Sequence, residues 1–260
     1  RIDIAAVRHP GPGLGFKRFA MSRVIDDPLL SIVIPVYNEE RFVEALIRRV
    51  AEQPWRMEIL AVDDGSDDDT PSRLEDLAKE LDSLVVYRHE SNRGKGAAVC
   101  TALAHVQGDV VIIQDADLEY DPREYDVLLG PILDGRADVV FGSRFLGGPH
   151  RVHNFHHYVA NRLLTTMSNL LTNLNLTDME TCYKVFRKEV VDELRLRSSG
   201  FGFDPEFTAQ VAEIGCRIYE VPISYSGRDY SEGKKIGWRD AFVSFGVILT
   251  AQKRYRKHRR

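Results

Sequence analysis

Apolar and polar positions change period repeatedly after residue 29. Residues 30–36 form a short apolar run rich in β-branched side chains. Residues 40–51 follow with apolar positions at Phe42, Leu46, Ile47 and Val50, the spacing of one helix face. The next run, 57–62, ends in Asp63 and Asp64. Thr70 before Pro71 predicts a helix capped by the threonine, with proline at the first helical position, continued by Leu74, Leu77, Ala78 and Leu81. Residues 84–87 predict a strand and 96–106 a helix of small residues. The uninterrupted apolar run 110–113 suits a strand buried on both faces. A helix over 125–133 and a strand over 139–142 complete the series.

Strand and helix thus alternate four times, the signature of a doubly wound, mostly parallel α/β sheet flanked by helices. Ligands of such sheets bind beyond the carboxyl ends of the strands. Polar residues fall at four of those ends: Asn38 and Glu39, Asp63 and Asp64, Asp115 and Asp117, Ser143 and Arg144. The second half is less regular. Residues 156–176 read as a long helix with Leu163, Leu164, Met167, Leu170 and Leu171. Residues 182–186 predict a strand joining the sheet, 206–214 a helix, 217–225 a strand and 238–251 a final helix.

Composition sets the setting. Of 260 residues, 43% are hydrophobic and 28% charged, which excludes a disordered chain. The longest apolar stretch, 242–251, contains Ser244, Gly246 and Thr250. It falls short of the ~20 residues of a spanning helix, and no signal-peptide pattern opens the chain. The expectation is a cytoplasmic protein that is neither exported nor membrane-spanning. Cys100, Cys182 and Cys216 form no CxxC and read as reduced thiols. The net charge of −4 hides an asymmetry. No acidic residue follows Asp240, and six basic ones crowd 253–260; without them 29 basic residues face 39 acidic ones. An acidic body with a basic tail predicts contact with an anionic surface, against the plain alternative of a solvated terminus.

Asp115-Ala116-Asp117 follows the most apolar strand. Two carboxylates at i and i+2 of an extended segment are able to share one divalent ion, and hard oxygen ligands select Mg²⁺ or Mn²⁺. A polar turn is the plain alternative. Asp67-Asp68-Asp69 lacks calcium-loop spacing and reads as a solvated turn and helix start. Asn92-Arg93-Gly94-Lys95-Gly96 lacks P-loop spacing; its glycines would let backbone approach a nucleotide. No GxGxxG follows a strand.

Taken in order, Pro35-Val36-Tyr37-Asn38-Glu39-Glu40, Val62-Asp63-Asp64-Gly65-Ser66, Asn92-Arg93-Gly94-Lys95-Gly96, Asp115-Ala116-Asp117-Leu118-Glu119-Tyr120-Asp121-Pro122 and Gly142-Ser143-Arg144 resemble a family 2 glycosyltransferase of the Rossmann-like GT-A fold. Within it they resemble the polyprenyl-phosphate (dolichyl-type) mannose or glucose synthases. The resemblance implies an N-terminal extension (1–28), one GT-A domain (29–236) with a nucleotide-sugar half (29–145) and an acceptor half (146–236), then an amphipathic helix and basic tail (237–260). It implies an inverting transfer of hexose from a UDP- or GDP-sugar to polyprenyl phosphate. Pro35, Tyr37, Glu39, Asp64, Lys95, Asp115 and Ala116 would bind the donor, with Asp64 facing the base. Asp115, Asp117 and Glu119 would hold Mg²⁺ or Mn²⁺, and Arg144 would meet the acceptor phosphate. His157, Lys234 and Lys235 are further acceptor candidates. Cys182 stands where the family commonly has glycine. Peripheral membrane contact is expected and nucleic-acid binding is not. The rival readings are a transferase acting on a hydroxyl, with Asp178, Glu180, Asp204 or Glu206 as base, and a nucleotide-sugar-binding module without turnover.

Overall fold

The computed structural model describes residues 24–147, 151–152, 155–227 and 244–250. Lys234, Lys235, His150, His153, most of the N-terminal extension and the basic tail lie outside them.

Seven strands form one sheet in the order β3-β2-β1-β4-β6-β5-β7. β1 (Leu30–Val36), β2 (Met57–Asp63), β3 (Leu84–Arg88) and β4 (Val110–Ile113) run parallel. β5 (Val139–Ser143) and β7 (Ile218–Pro222) are also parallel to each other. β6 (Lys184–Arg187) lies antiparallel between β4 and β5. The doubly wound expectation therefore holds for all strands except β6.

All four residues of β4 are buried, as its unbroken apolar run requires. Between strands stand α1 (Val43–Ala51), α2 (Thr70–Glu80), α3 (Lys95–Leu103) and α4 (Tyr125–Leu133). α5 (Phe155–Thr172), α6 (Lys188–Glu193) and α7 (Phe203–Ile214) follow. α3 packs on β1 and β2, α4 on β5, and α5 on α7. β7 is pinned to β5 by Arg217, whose guanidinium donates to both oxygens of buried Asp138 at 3.1 and 2.9 Å. Among the described residues no helix is long and apolar enough to cross a membrane.

Several local expectations are corrected. Thr70 does not cap α2: it is the first helical residue, and its hydroxyl accepts from the Glu39 N–H at 2.9 Å. α3 ends at Leu103 rather than 106, α5 at Thr172 rather than 176, and β7 at Pro222 rather than 225. The last helix is described only over 244–250, with Ser244 and Ile248 buried and Phe245 and Leu249 exposed.

Candidate active site

The carboxyl ends of β1 and β2 are laced together. Asn38, at φ 49°, donates from its amide to Asp67 at 2.6 Å, and its carbonyl oxygen accepts from the Asp67 N–H at 3.0 Å. Ser66 and Asp68 accept from the N–H groups of Asn38 and Glu40 at 2.9 and 3.2 Å. The acidic run is thus more than a solvated turn: it holds the loop that presents Tyr37 and Glu39. Side-chain acceptors for loop N–H groups do what a helix or sheet would otherwise do.

Asp64 anchors the next loop. Its buried carboxylate accepts from the N–H groups of Arg93 at 3.0 Å and Gly94 at 2.7 Å, and lies 2.6 Å from His89 Nδ1. The glycines of this loop meet protein rather than open space. Gly94 has φ 93°, and a Cβ on Gly96 would sit 2.3 Å from the Ser198 carbonyl oxygen. The backbone N–H of Ala97 donates to the Ser199 carbonyl at 2.8 Å, so the loop is clamped against residues 198–200.

α3 begins at Lys95, whose ammonium reaches Asp115 Oδ1 at 2.6 Å. Burial opposes the charge on Lys95, but Asp115 chiefly, with Cys182 and Asp204, outweighs it and holds the ammonium well above its usual value. Burial likewise raises the Asp115 carboxyl, and Lys95 more than reverses this. The backbone of Asp115 is steadied from behind. Gln114 donates to its carbonyl at 3.1 Å and accepts from Tyr125 at 3.0 Å and Tyr183 at 2.8 Å. Cys182 packs where glycine was expected, and burial followed by Asp115 pushes its thiol well above the usual range. Leu118, between Asp117 and Glu119, is held at φ 61°, a strained conformation for a residue with a Cβ.

Pro35, Tyr37, Glu39, Asp64, Lys95, Asp115, Ala116, Asp117 and Glu119 all line one cavity of about 350 Å³. All predicted donor and metal residues are brought together there. Arg144 and His157 do not line it. Arg144 lies beside it in a fork-to-fork pair with Asp178, donating from Nε at 2.6 Å and from Nη2 at 2.8 Å. Burial acts against its charge and Asp178 over-compensates. Sequence reasoning missed Tyr225. Its hydroxyl donates to Glu119 Oε2 at 2.6 Å, and the Arg144 guanidinium lies 5.1 Å from its ring centroid. One side chain therefore links the two sides of the site. Its only signal in the sequence was its place at the end of a strand.

The carboxylates weighed as bases are mostly engaged. Asp204 pairs with buried Lys184. Glu206 accepts from the N–H groups of Arg197 and Ser198 at 2.9 and 2.7 Å. No three acidic, histidine or cysteine side chains converge into a metal cage among the described residues. Asp115, Asp117 and Glu119 nonetheless bring hard oxygens to the same cavity. Such a set fits an ion that keeps waters and takes its remaining ligands from a diphosphate, the habit of Mg²⁺.

The model of the family described as Glycosyl transferase family 2 matches residues 31–195. Polyprenol monophosphomannose synthase of Mycolicibacterium smegmatis is 30% identical over 214 residues, spanning 79% of this chain and 80% of that protein. Undecaprenyl-phosphate mannosyltransferase of Micrococcus luteus is 29% identical, spanning 79% and 86%. Glucosyl-3-phosphoglycerate synthase from Mycobacterium tuberculosis, solved with Mn²⁺ and UDP-glucose, superposes with a TM-score of 0.68 at 20% identity, over 87% of this chain and 79% of that one. The fold is of the GT-A type.

Proposed function

The chain belongs to glycosyl transferase family 2, and from that membership we propose that it moves a hexose, with inversion, from a UDP- or GDP-sugar to a polyprenyl phosphate. The observation that carries this reading is the cavity that Asp115, Asp117 and Glu119 line together with Lys95, Tyr37 and Glu39. The donor's base and ribose would lie toward Pro35, Tyr37, Glu39 and Asp64, and its diphosphate toward Lys95 and Asp117. A bound Mg²⁺ or Mn²⁺ would neutralise charge building on the departing diphosphate. Lys95, already charged and half-buried, supplies fixed positive charge to the same end.

The acceptor assignment rests on the relatives' polyprenyl and undecaprenyl-phosphate names and on Arg144. A phosphate monoester is largely ionised near neutrality, its second pKa being about 6, so it attacks without a protein base. The engagement of Asp204 and Glu206 elsewhere fits such a reaction. Membrane contact would be peripheral, on the cytoplasmic face. α5 carries no acidic residue and turns Phe155, Val159, Leu163 and Leu170 outward.

The test is formation of lipid-linked sugar from UDP- and GDP-hexoses and a short polyprenyl phosphate with Mn²⁺. Product should appear with one donor base and vanish in Asp117→Ala and on chelation. Undiminished turnover without divalent metal would count against the metal assignment. A larger loss in Glu206→Gln than in Arg144→Lys would overturn the phosphate acceptor.

A further inference from the structure

Three ion pairs lie close to one another at the site, the Lys184 pair buried and the other two partly exposed. Lys95 faces Asp115, Arg144 faces Asp178, and Lys184 faces Asp204. Each cation has one carboxylate, and the set is neutral. Glu180 is a fourth carboxylate in the same neighbourhood, on the segment between Asp178 and β6, and among the described residues it forms no ion pair. Its Oε1 is buried without a hydrogen-bond partner. Four charged groups act on it: Asp178 on its own segment, Arg144 after β5, Lys184 on β6 and Asp204 on α7. An ionised carboxylate left there would be costly. A protonated one removes that cost and leaves an O–H to donate.

A phosphate docking on Arg144 must share that guanidinium with Asp178. It brings further negative charge to a cluster whose cations are already matched. An ionised Glu180 would repel it, whereas a neutral carboxyl offers a short, strong hydrogen bond to a phosphate oxygen. We propose that Glu180 is an acceptor-site residue that works in its protonated form, donating its carboxyl hydrogen to the phosphate of the acceptor beside Arg144. This rests on the polyprenyl-phosphate reading above and adds to it a group that ties acceptor binding to pH. Burial first, then the nearby Asp204, push the Glu180 carboxyl up to about 8, so the donor form prevails at neutral pH.

The experiment is a pH profile of kcat/KM for farnesyl phosphate as short acceptor, from pH 6 to 9.5, in wild type, Glu180→Gln and Glu180→Ala. Thermal unfolding and nucleotide binding serve as checks on folding. For wild type, kcat/KM should fall about tenfold per unit above pH 8, the behaviour of a single required proton. Glu180→Gln keeps an N–H donor and cannot ionise, so its profile should stay flat over that range. Glu180→Ala should raise the acceptor KM on the order of tenfold at pH 7 while kcat changes less. An alkaline fall that persists in Glu180→Gln overturns the proposal. So does a wild-type rate that climbs through pH 8 and is lost in Glu180→Gln, the pattern of a base serving a hydroxyl acceptor. If wild type makes no lipid-linked sugar at any pH, the acceptor reading itself falls. If it makes the product and the profiles of wild type and Glu180→Gln coincide, the role of Glu180 alone falls.

Discussion

Tyr225 touches Glu119 with its hydroxyl and Arg144 with its ring, so its two contacts are separable by mutation. Tyr225→Phe keeps the ring and removes the hydrogen bond. A bond to a charged group is worth about 1.5–3 kcal/mol, and turnover is expected to drop on the order of tenfold with little change in Tm. Gly96→Ala is the opposite case, a stability change. The added methyl must push aside the Ser198 carbonyl, and overpacking of this kind costs about 1–3 kcal/mol. Urea unfolding should show a lower midpoint with the same slope. At this scale much of the site was legible. Asp115 and Asp117 announce themselves by following an apolar strand. Asp64 and the glycines at 94 and 96 were legible as important but not as what they are, because their partners at 93–94 and 198–200 are distant in sequence or belong to backbone. Cys182 was legible as a reduced thiol standing where the family has glycine, but not as a neighbour of the Asp115 carboxylate.

Among the elements, α5 sets an unusual surface. Leu164, Thr165 and Ser168 are buried, while Leu163 and Leu170 are 59% and 79% exposed. Its small polar positions face the protein and part of its apolar set faces outward, which a periodicity count alone does not reveal. Leu163→Glu and Leu170→Glu should leave folding intact, since neither side chain is in the core. If the row rests on lipid, each should weaken binding to anionic vesicles on the order of tenfold, given the ~1.5–3 kcal/mol for burying such a side chain. Co-sedimentation with vesicles checks this, and unchanged binding in both variants would remove α5 from the membrane contact. The parallel strands β1, β2 and β4 were legible because their apolar runs are dense, unbroken in β4 and interrupted by Ser31 in β1 and Glu58 in β2. β6 was legible as a strand but not in its direction, since Lys184 and Arg187 inside it are buried by partners from other elements: Asp204 for one, the carbonyls of Ala137 and Ile132 for the other.

At the scale of the whole molecule, charge is arranged by pairing rather than by total. The −4 of the chain says little about a site in which Lys95, Arg144 and Lys184 each pair with one carboxylate while Glu180 keeps a buried oxygen without a hydrogen bond. The sheet itself is similarly joined by a late arrival. β4 and β5 never pair with each other; both pair with β6, which begins only at Lys184. During synthesis, at the usual ~5–20 residues per second, roughly two to nine seconds separate completion of β5 from completion of β6. Through that interval the nascent chain holds two open strand edges at the middle of its future sheet, the condition under which sheet proteins adhere to one another. The antiparallel strand that shapes the site is thus also the step on which a growing chain most depends for protection, by a chaperone or by speed.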